Sequence, residues 1–398
     1  MTAAELLQRY AGPSAAQFEP CFRYSKKARI DSVRIYAVGT ESTTARYSGR
    51  GGDWKEVNNI LRIVTADGFE AISGVDSYYE GKFSDEHLVE LESAAADLVA
   101  LESLDPVDVG ATLNRMRPEL SDPVRSSIDI ALWDLAARKA DRPLYKLLGA
   151  QRGSIVPYAS LPFYDSLPEY VESVHEYAKL GCKTFKFHVW GSIDKDVRLI
   201  ELIQENFANS EYRFMMDLEA AYDLEDSLRL GRCMDNGLFV WLEEPMHDER
   251  LAEYAELRSQ LATEIIPGGY SVYSAEFLRQ GIEAGAWDAA RFDATTVGGI
   301  SAALRLLEIA NDAGVRVEIQ SWGHSLTQAA NLHLMLANQG TRYFEAPMPK
   351  VAFEFGSKNG NLLDRGSIVP PDRPGLGIEV DWERLPSADF YVCSSQEI

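Results

Sequence analysis

From Ser154 onward one pattern recurs: a short apolar run, a polar turn, then a segment with helical periodicity, the runs starting roughly every 25 to 30 residues. The runs cover 155–160, 184–188, 213–217, 240–243, 264–267, 290–293, 316–320 and 342–345. Strands that are apolar nearly throughout are buried on both faces, as in a parallel sheet whose strands return through helices. Eight such units close into a barrel. This repeat therefore fixes an α/β class and predicts a (β/α) barrel over residues 151–350.

Residues 28–150 follow another rule. Segments 30–38, 59–66 and 71–75 alternate as half-buried antiparallel strands, the last two around the turn Asp67-Gly68. Helical periodicity then runs over 85–101, 106–116 and 122–139, the third apolar around most of its circumference and so a core helix. These strands and helices predict a separate α+β module. Residues 1–27 read as an N-terminal extension, and 351–398 as a segment returning over the first module. A polar, glycine-rich stretch, 39–55, reads as a loop covering a site, with Arg46 and Arg50 suited to an anionic substrate.

A formal charge of −22 argues against nucleic acid as a partner, since phosphate binding needs clustered Lys and Arg. The four cysteines are scattered, which predicts free thiols in a reducing, cytoplasmic compartment. No run is long and apolar enough to span a bilayer, and the opening residues lack the pattern of a secretory signal.

Catalytic groups of such barrels sit at the C-terminal ends of the strands. Those ends carry Lys186 and His188, Asp217 with Glu219, Glu243 with Glu244, Asp293, Gln320 with His324, and Glu345. A single ionisable group there is as easily a salt-bridged rim residue; recurrence over successive strands lifts the set. So many acids at one mouth call for a hard divalent cation, with Asp217 and Glu243 as ligands. Lys186 and His188 then face them as proton carriers, a lysine with a lowered pKa or an imidazole being a competent base. The chemistry this suits is removal of a proton next to a carboxylate, with the enediolate held by cation and lysine.

The chain resembles the enolase superfamily, in the mandelate racemase and muconate lactonizing enzyme branch. The resemblance rests on Ser127-Ile-Asp-Ile-Ala-Leu-Trp-Asp134, Pro143-Leu-Tyr-Lys-Leu-Leu-Gly149, Lys186-Phe-His188, Met216-Asp217, Trp241-Leu-Glu-Glu-Pro245, Asp293 with Gly298-Gly299-Ile300, and Pro374-Gly-Leu-Gly377. It implies an α+β cap over a modified TIM barrel, a Mg2+ ion, a small-molecule carboxylate substrate and a homo-oligomer. Lys186 and His188 would occupy the Lys-x-Lys positions, and the loop around Arg46 to Arg50 would be part of the lid.

Three positions depart from that pattern. Tyr270 stands where relatives place the third metal-binding Glu; its phenol is a poor magnesium ligand, so Glu219, Asp293 or water would complete the shell and Tyr270 would face substrate. Gln320 stands where a His often pairs with the sixth-strand Asp, here Asp293, and would contact substrate instead; His324 follows it. His188 replaces the second Lys. The expected reaction is dehydration of a hydroxy acid or sugar acid, with His324 or Glu345 protonating the departing hydroxyl. The alternatives are a racemase, epimerase or cycloisomerase, or a binding protein that has lost turnover.

Overall fold

The computed structural model describes residues 29–39, 57–76, 85–101, 104–269, 274–354, 356–383, 385 and 390–394. The 1–27 extension, Arg46, Arg50 and Tyr270 lie outside the described residues.

The first module opens with β1 (Ile30–Gly39), β2 (Val57–Thr65) and β3 (Glu70–Asp76), an antiparallel meander. Helices α1 (Asp85–Val99), α2 (Pro106–Met116) and α3 (Asp122–Lys139) follow. Helix α3 is apolar all round because it serves two cores. Val124, Ile128, Ala131, Leu132 and Leu135 pack with the first sheet, whereas Ile130, Trp133, Ala136 and Ala137 join the core of the barrel. Its Asp134 is fully buried: Oδ2 accepts from Ile72 N–H at 2.8 Å and Arg138 Nε at 2.7 Å, and Oδ1 from Leu376 N–H at 2.6 Å. One carboxylate thus ties the first sheet, the core helix and the C-terminal segment together.

Six parallel strands form the main sheet: β4 (Val156–Ser160), β5 (Thr184–His188), β6 (Arg213–Asp217), β7 (Phe239–Glu243), β8 (Glu264–Ile266) and β11 (Tyr343–Pro347). They run in the order β11-β4-β5-β6-β7-β8, and β9 (Ala289–Ala290) with β10 (Arg316–Val317) forms a separate parallel pair. Asp288 N–H to Ile265 O at 2.9 Å joins β8 to β9. On the other side the Ser321 hydroxyl accepts from Glu345 N–H at 3.0 Å and donates to Glu345 O at 3.1 Å, closing the ring of eight through a side chain.

The sixth and seventh strands are shorter than the expected 290–293 and 316–320. Asp293 and Gln320 lie past their ends. Asp293 Oδ1 accepts from Thr295 N–H and Thr295 Oγ1, both at 2.7 Å, so local bonds bend the chain away from the ladder. Gln320 N–H still reaches Phe292 O at 2.9 Å.

Four side chains brace the opposite end of the barrel. Arg316 and Arg342 each pair with both Glu264 and Glu318, at 2.6–2.9 Å. The C-terminal strand β14 (Phe390–Ser394) pairs antiparallel with β1, Tyr36 opposite Phe390.

Candidate active site

Alternation along the strands sorts the side chains. Phe185, Phe187, Phe214, Met216, Leu242, Phe292, Ile319 and Phe344 fill the layer between barrel and helices. Their neighbours Lys186, His188, Asp217, Glu243, Arg291, Asp293, Gln320 and Glu345 therefore point into the barrel. Below them Tyr158, Met215, Trp241, Ile266 and Ala289 form an apolar plug. His188, Asp217 and Glu243 stand side by side as register partners across β5, β6 and β7.

Lys186 is at the centre. Its Nζ donates to Asp217 Oδ2 at 2.8 Å and Glu243 Oε1 at 2.9 Å, and lies 2.8 Å from Glu345 Oε1. An ammonium has three N–H bonds, and three carboxylates surround this one. Burial pulls the lysine pKa down, but Asp217, Glu243 and Glu345 together hold it well above its ordinary value. The lowered lysine pKa expected from sequence is thus reversed, because its neighbours are anions rather than cations. Lys186 is a fixed positive charge.

Arg291, which sequence reasoning missed, is the second buried cation. Its Nη2 lies 2.7 Å from Glu345 Oε2, 3.0 Å from Glu243 Oε1 and 3.1 Å from the Tyr158 hydroxyl. The signal was available: Arg291 is two residues before Asp293 and so shares its face of the strand. Burial pushes the Glu345 carboxyl up, but Lys186 and Arg291 outweigh it and hold it down at about 2. An ionised Glu345 has no proton to give, so the structure makes it a counter-ion rather than the expected proton donor.

His188 is set up differently. Its Nδ1 is 2.9 Å from Leu161 O, and a carbonyl only accepts, so Nδ1 carries the proton and the neutral ring keeps its lone pair on Nε2. Nε2 lies 3.7 Å from Asp217 Oδ2. Burial, helped by Lys186, lowers the His188 pKa against the pull of Asp217. Asp217 itself is held at about 2: burial would raise it, and Lys186 and His188 override that.

The other expected residues are spread around the same mouth. Asp293 Oδ1 also accepts from Asn331 Nδ2 at 2.8 Å. His324 is buried and precedes the helix Ser325–Ala337, with its N–H donating to Asp76 Oδ2 at 2.7 Å. Glu219 adopts φ +48°, and its N–H donates to Asp217 Oδ1 at 3.1 Å.

Among the described residues no three His, Cys, Asp or Glu side chains surround a common point as metal ligands. The donor chemistry nevertheless suits a hard divalent cation. Lys186 and Arg291 are two buried cations facing three carboxyl groups, Asp217, Glu243 and Glu345, while Glu244 lies near Asp217, Glu243 and Asp248 and has no cation beside it among its charged neighbours. Burial and the adjacent Asp217, Asp248, Glu243 and Glu219 push the Glu244 pKa well up. Burial, with Asp217 and Glu345 nearby, also raises Glu243 to about 8 against the pull of Arg291 and Lys186. Without a metal this surplus of acids stays partly protonated, and Mg2+ would let it ionise, with Asp217 and Glu243 as its holders.

Residues 169–384 match the Enolase C-terminal domain-like family, and residues 55–149 the Mandelate racemase / muconate lactonizing enzyme, N-terminal domain family. The chain belongs to the mandelate racemase/muconate lactonizing enzyme branch of the enolase superfamily. It is an enzyme of that superfamily. A solved structure from Pseudovibrio sp., assigned to the same group, superposes with a TM-score of 0.88 at 32% identity, covering 93% of this chain and 100% of that one. L-talarate/galactarate dehydratase of Salmonella typhimurium is 29% identical over 296 residues, 71% of this chain and 73% of that one. Its structure liganded with Mg and L-lyxarohydroxamate superposes with a TM-score of 0.84 at 23% identity, covering 95% and 97% of the two chains. Arabinonate dehydratase of Saccharolobus solfataricus is 27% identical over 279 residues, 68% and 72% of the two chains. Further relatives of the superfamily are a cycloisomerase, a racemase and an epimerase. The magnesium in the L-talarate/galactarate dehydratase structure and in other solved structures of this fold agrees with the cation expected from the sequence.

Proposed function

We propose that this superfamily member dehydrates a hydroxy acid of the sugar-acid class. The observation that carries this reading is the Nδ1–H of His188 held by Leu161 O, which turns a neutral imidazole into a base facing the mouth. His188 Nε2 takes the proton from the carbon next to the substrate carboxylate, and the C–H electron pair moves into that carboxylate as an enediolate. Lys186, permanently charged, steadies the developing negative charge. A divalent cation on Asp217 and Glu243 supplies further positive charge to the same oxygens when bound. Collapse of the enediolate breaks the C–O bond at the adjacent carbon. His324, the second buried imidazole at the strand ends, protonates the departing hydroxyl, and water leaves behind an enol that tautomerises to a keto acid.

Racemisation needs a second base across the substrate from His188. Gln320, just past the end of the seventh strand, points into the barrel, and an amide accepts no proton near neutrality, which favours elimination. Domain boundaries at 28–150, 151–350 and 351–398 belong to the same reading. The test is incubation with Mg2+ and a panel of four- to six-carbon sugar acids in deuterated water. Loss of the α-proton signal together with keto acid formation supports the proposal; neither appearing with any acid rejects it.

A further inference from the structure

Gln320 is fully buried, yet neither Oε1 nor Nε2 of its amide has a hydrogen-bond partner among the described residues. A buried donor or acceptor left unsatisfied forfeits its hydration with nothing in return, so a native amide in this state needs an explanation. Its direction supplies one. Val317 and Ile319 pack into the layer under the helices, and Glu318 points inward to Arg342, so Gln320 also points inward, at the mouth end. The Ser160 hydroxyl, in register with Lys186, is likewise buried without a partner. These two neutral groups flank β11, on the arc facing Asp217 and Glu243 across the ring.

We infer that Gln320 selects substrate by pairing with two adjacent hydroxyls beyond the reacting carbon. This rests on the sugar-acid reading and deepens it. A carboxylate accepts only and would leave Oε1 unmet; an ammonium donates only and would leave Nε2 unmet. A trans secondary amide points its N–H and C=O in opposite directions, so it meets one half of a primary amide at a time. Neighbouring hydroxyls offer an acceptor to Nε2 and a donor to Oε1 from one side. Gln320 is thereby a binding residue whose amide is unmatched when either hydroxyl is missing.

The test uses the Mg2+-loaded full chain and calorimetry with pairs of acids: a five- or six-carbon aldonate or aldarate, its counterpart lacking one distal hydroxyl, and an N-acyl amino acid. The wild type is expected to prefer the full polyol by about tenfold or more over the deoxy acid. In Gln320→Leu the preference collapses to within about twofold, and Gln320→Glu, which keeps acceptor oxygens, falls between. KM for the polyol rises, and by a larger factor than any accompanying fall in α-proton exchange at saturation. Wild-type protein binding both acids equally, Gln320→Leu keeping the preference, or tightest binding to the N-acyl amino acid overturns the inference. Because binding is read separately from exchange, exchange absent from every acid rejects the dehydratase reading, while exchange intact with an unchanged preference rejects only the role of Gln320.

Discussion

His188 Nε2 and Asp217 Oδ2 lie 3.7 Å apart on adjacent strands, near enough to feel each other's charge and too far to share a proton. Asp217 accepts its short bond from Lys186 Nζ instead, at 2.8 Å. Leu161 O thus holds the imidazole through Nδ1 and places the ring's lone pair on Nε2.

Replacing that base is expected to abolish proton abstraction alone. His188→Asn should lower α-proton exchange by about 10²–10⁴-fold, the usual contribution of a positioned general base. Proton NMR in deuterated water measures the loss, and unchanged circular dichroism and magnesium affinity separate it from misfolding.

Lys186→Met should damage the fold as well as the reaction. It removes the ammonium between Asp217, Glu243 and Glu345 and strands buried like charges, which costs about 3–5 kcal/mol. Urea unfolding at pH 7 reads this directly. Lys186→Arg should recover part of the stability and little of the turnover.

Chelation with EDTA should stop exchange, and added Mg2+ should restore it. Asp217→Asn, which removes a carboxylate holder, is expected to weaken magnesium by more than the roughly 10–100-fold typical of a lost supporting residue. Calorimetry with the metal alone checks this without substrate.

A different histidine sets the acid limit of stability. His333 is fully buried; its Nδ1 accepts from Tyr145 N–H at 3.0 Å, its Nε2–H donates to Leu376 O at 3.1 Å, and burial lowers its pKa to about 4. The unfolded chain takes up this proton near pH 6.5 and the folded one only near 4. Stability is therefore whole above about 6.5 and lost as pH falls towards 4, by up to about 3 kcal/mol. His333→Gln should flatten that part of the profile in thermal melts between pH 7 and 4.

Much of this was legible because strand and helix patterns are local. Strands Thr184–His188 and Arg213–Asp217 and helices Pro106–Met116 and Asp122–Lys139 match their sequence readings to the residue. So did the convergence of Lys186, His188, Asp217 and Glu243, which follows from alternation alone. What spacing could not reveal was pairing across the ring. Arg291 looks like an odd cation in an apolar run until closure brings it to Glu243 and Glu345. For the same reason Glu345 reads as a free acid in the sequence and is an ion-paired base-line charge in the fold. The sixth and seventh strands were read too long because past Ala290 and Val317 their pairing thins to single bonds, such as Gln320 N–H to Phe292 O, which alternation does not encode.

The pairing of Phe390–Ser394 with Ile30–Gly39 has a consequence for biosynthesis. The ribosome makes this strand of the first sheet only after the entire barrel, so the edge of residues 32–36 waits for it through most of translation. An open edge of that kind invites association between nascent chains. A circular permutant carrying 390–394 ahead of residue 30 would complete the sheet early and shorten that exposure.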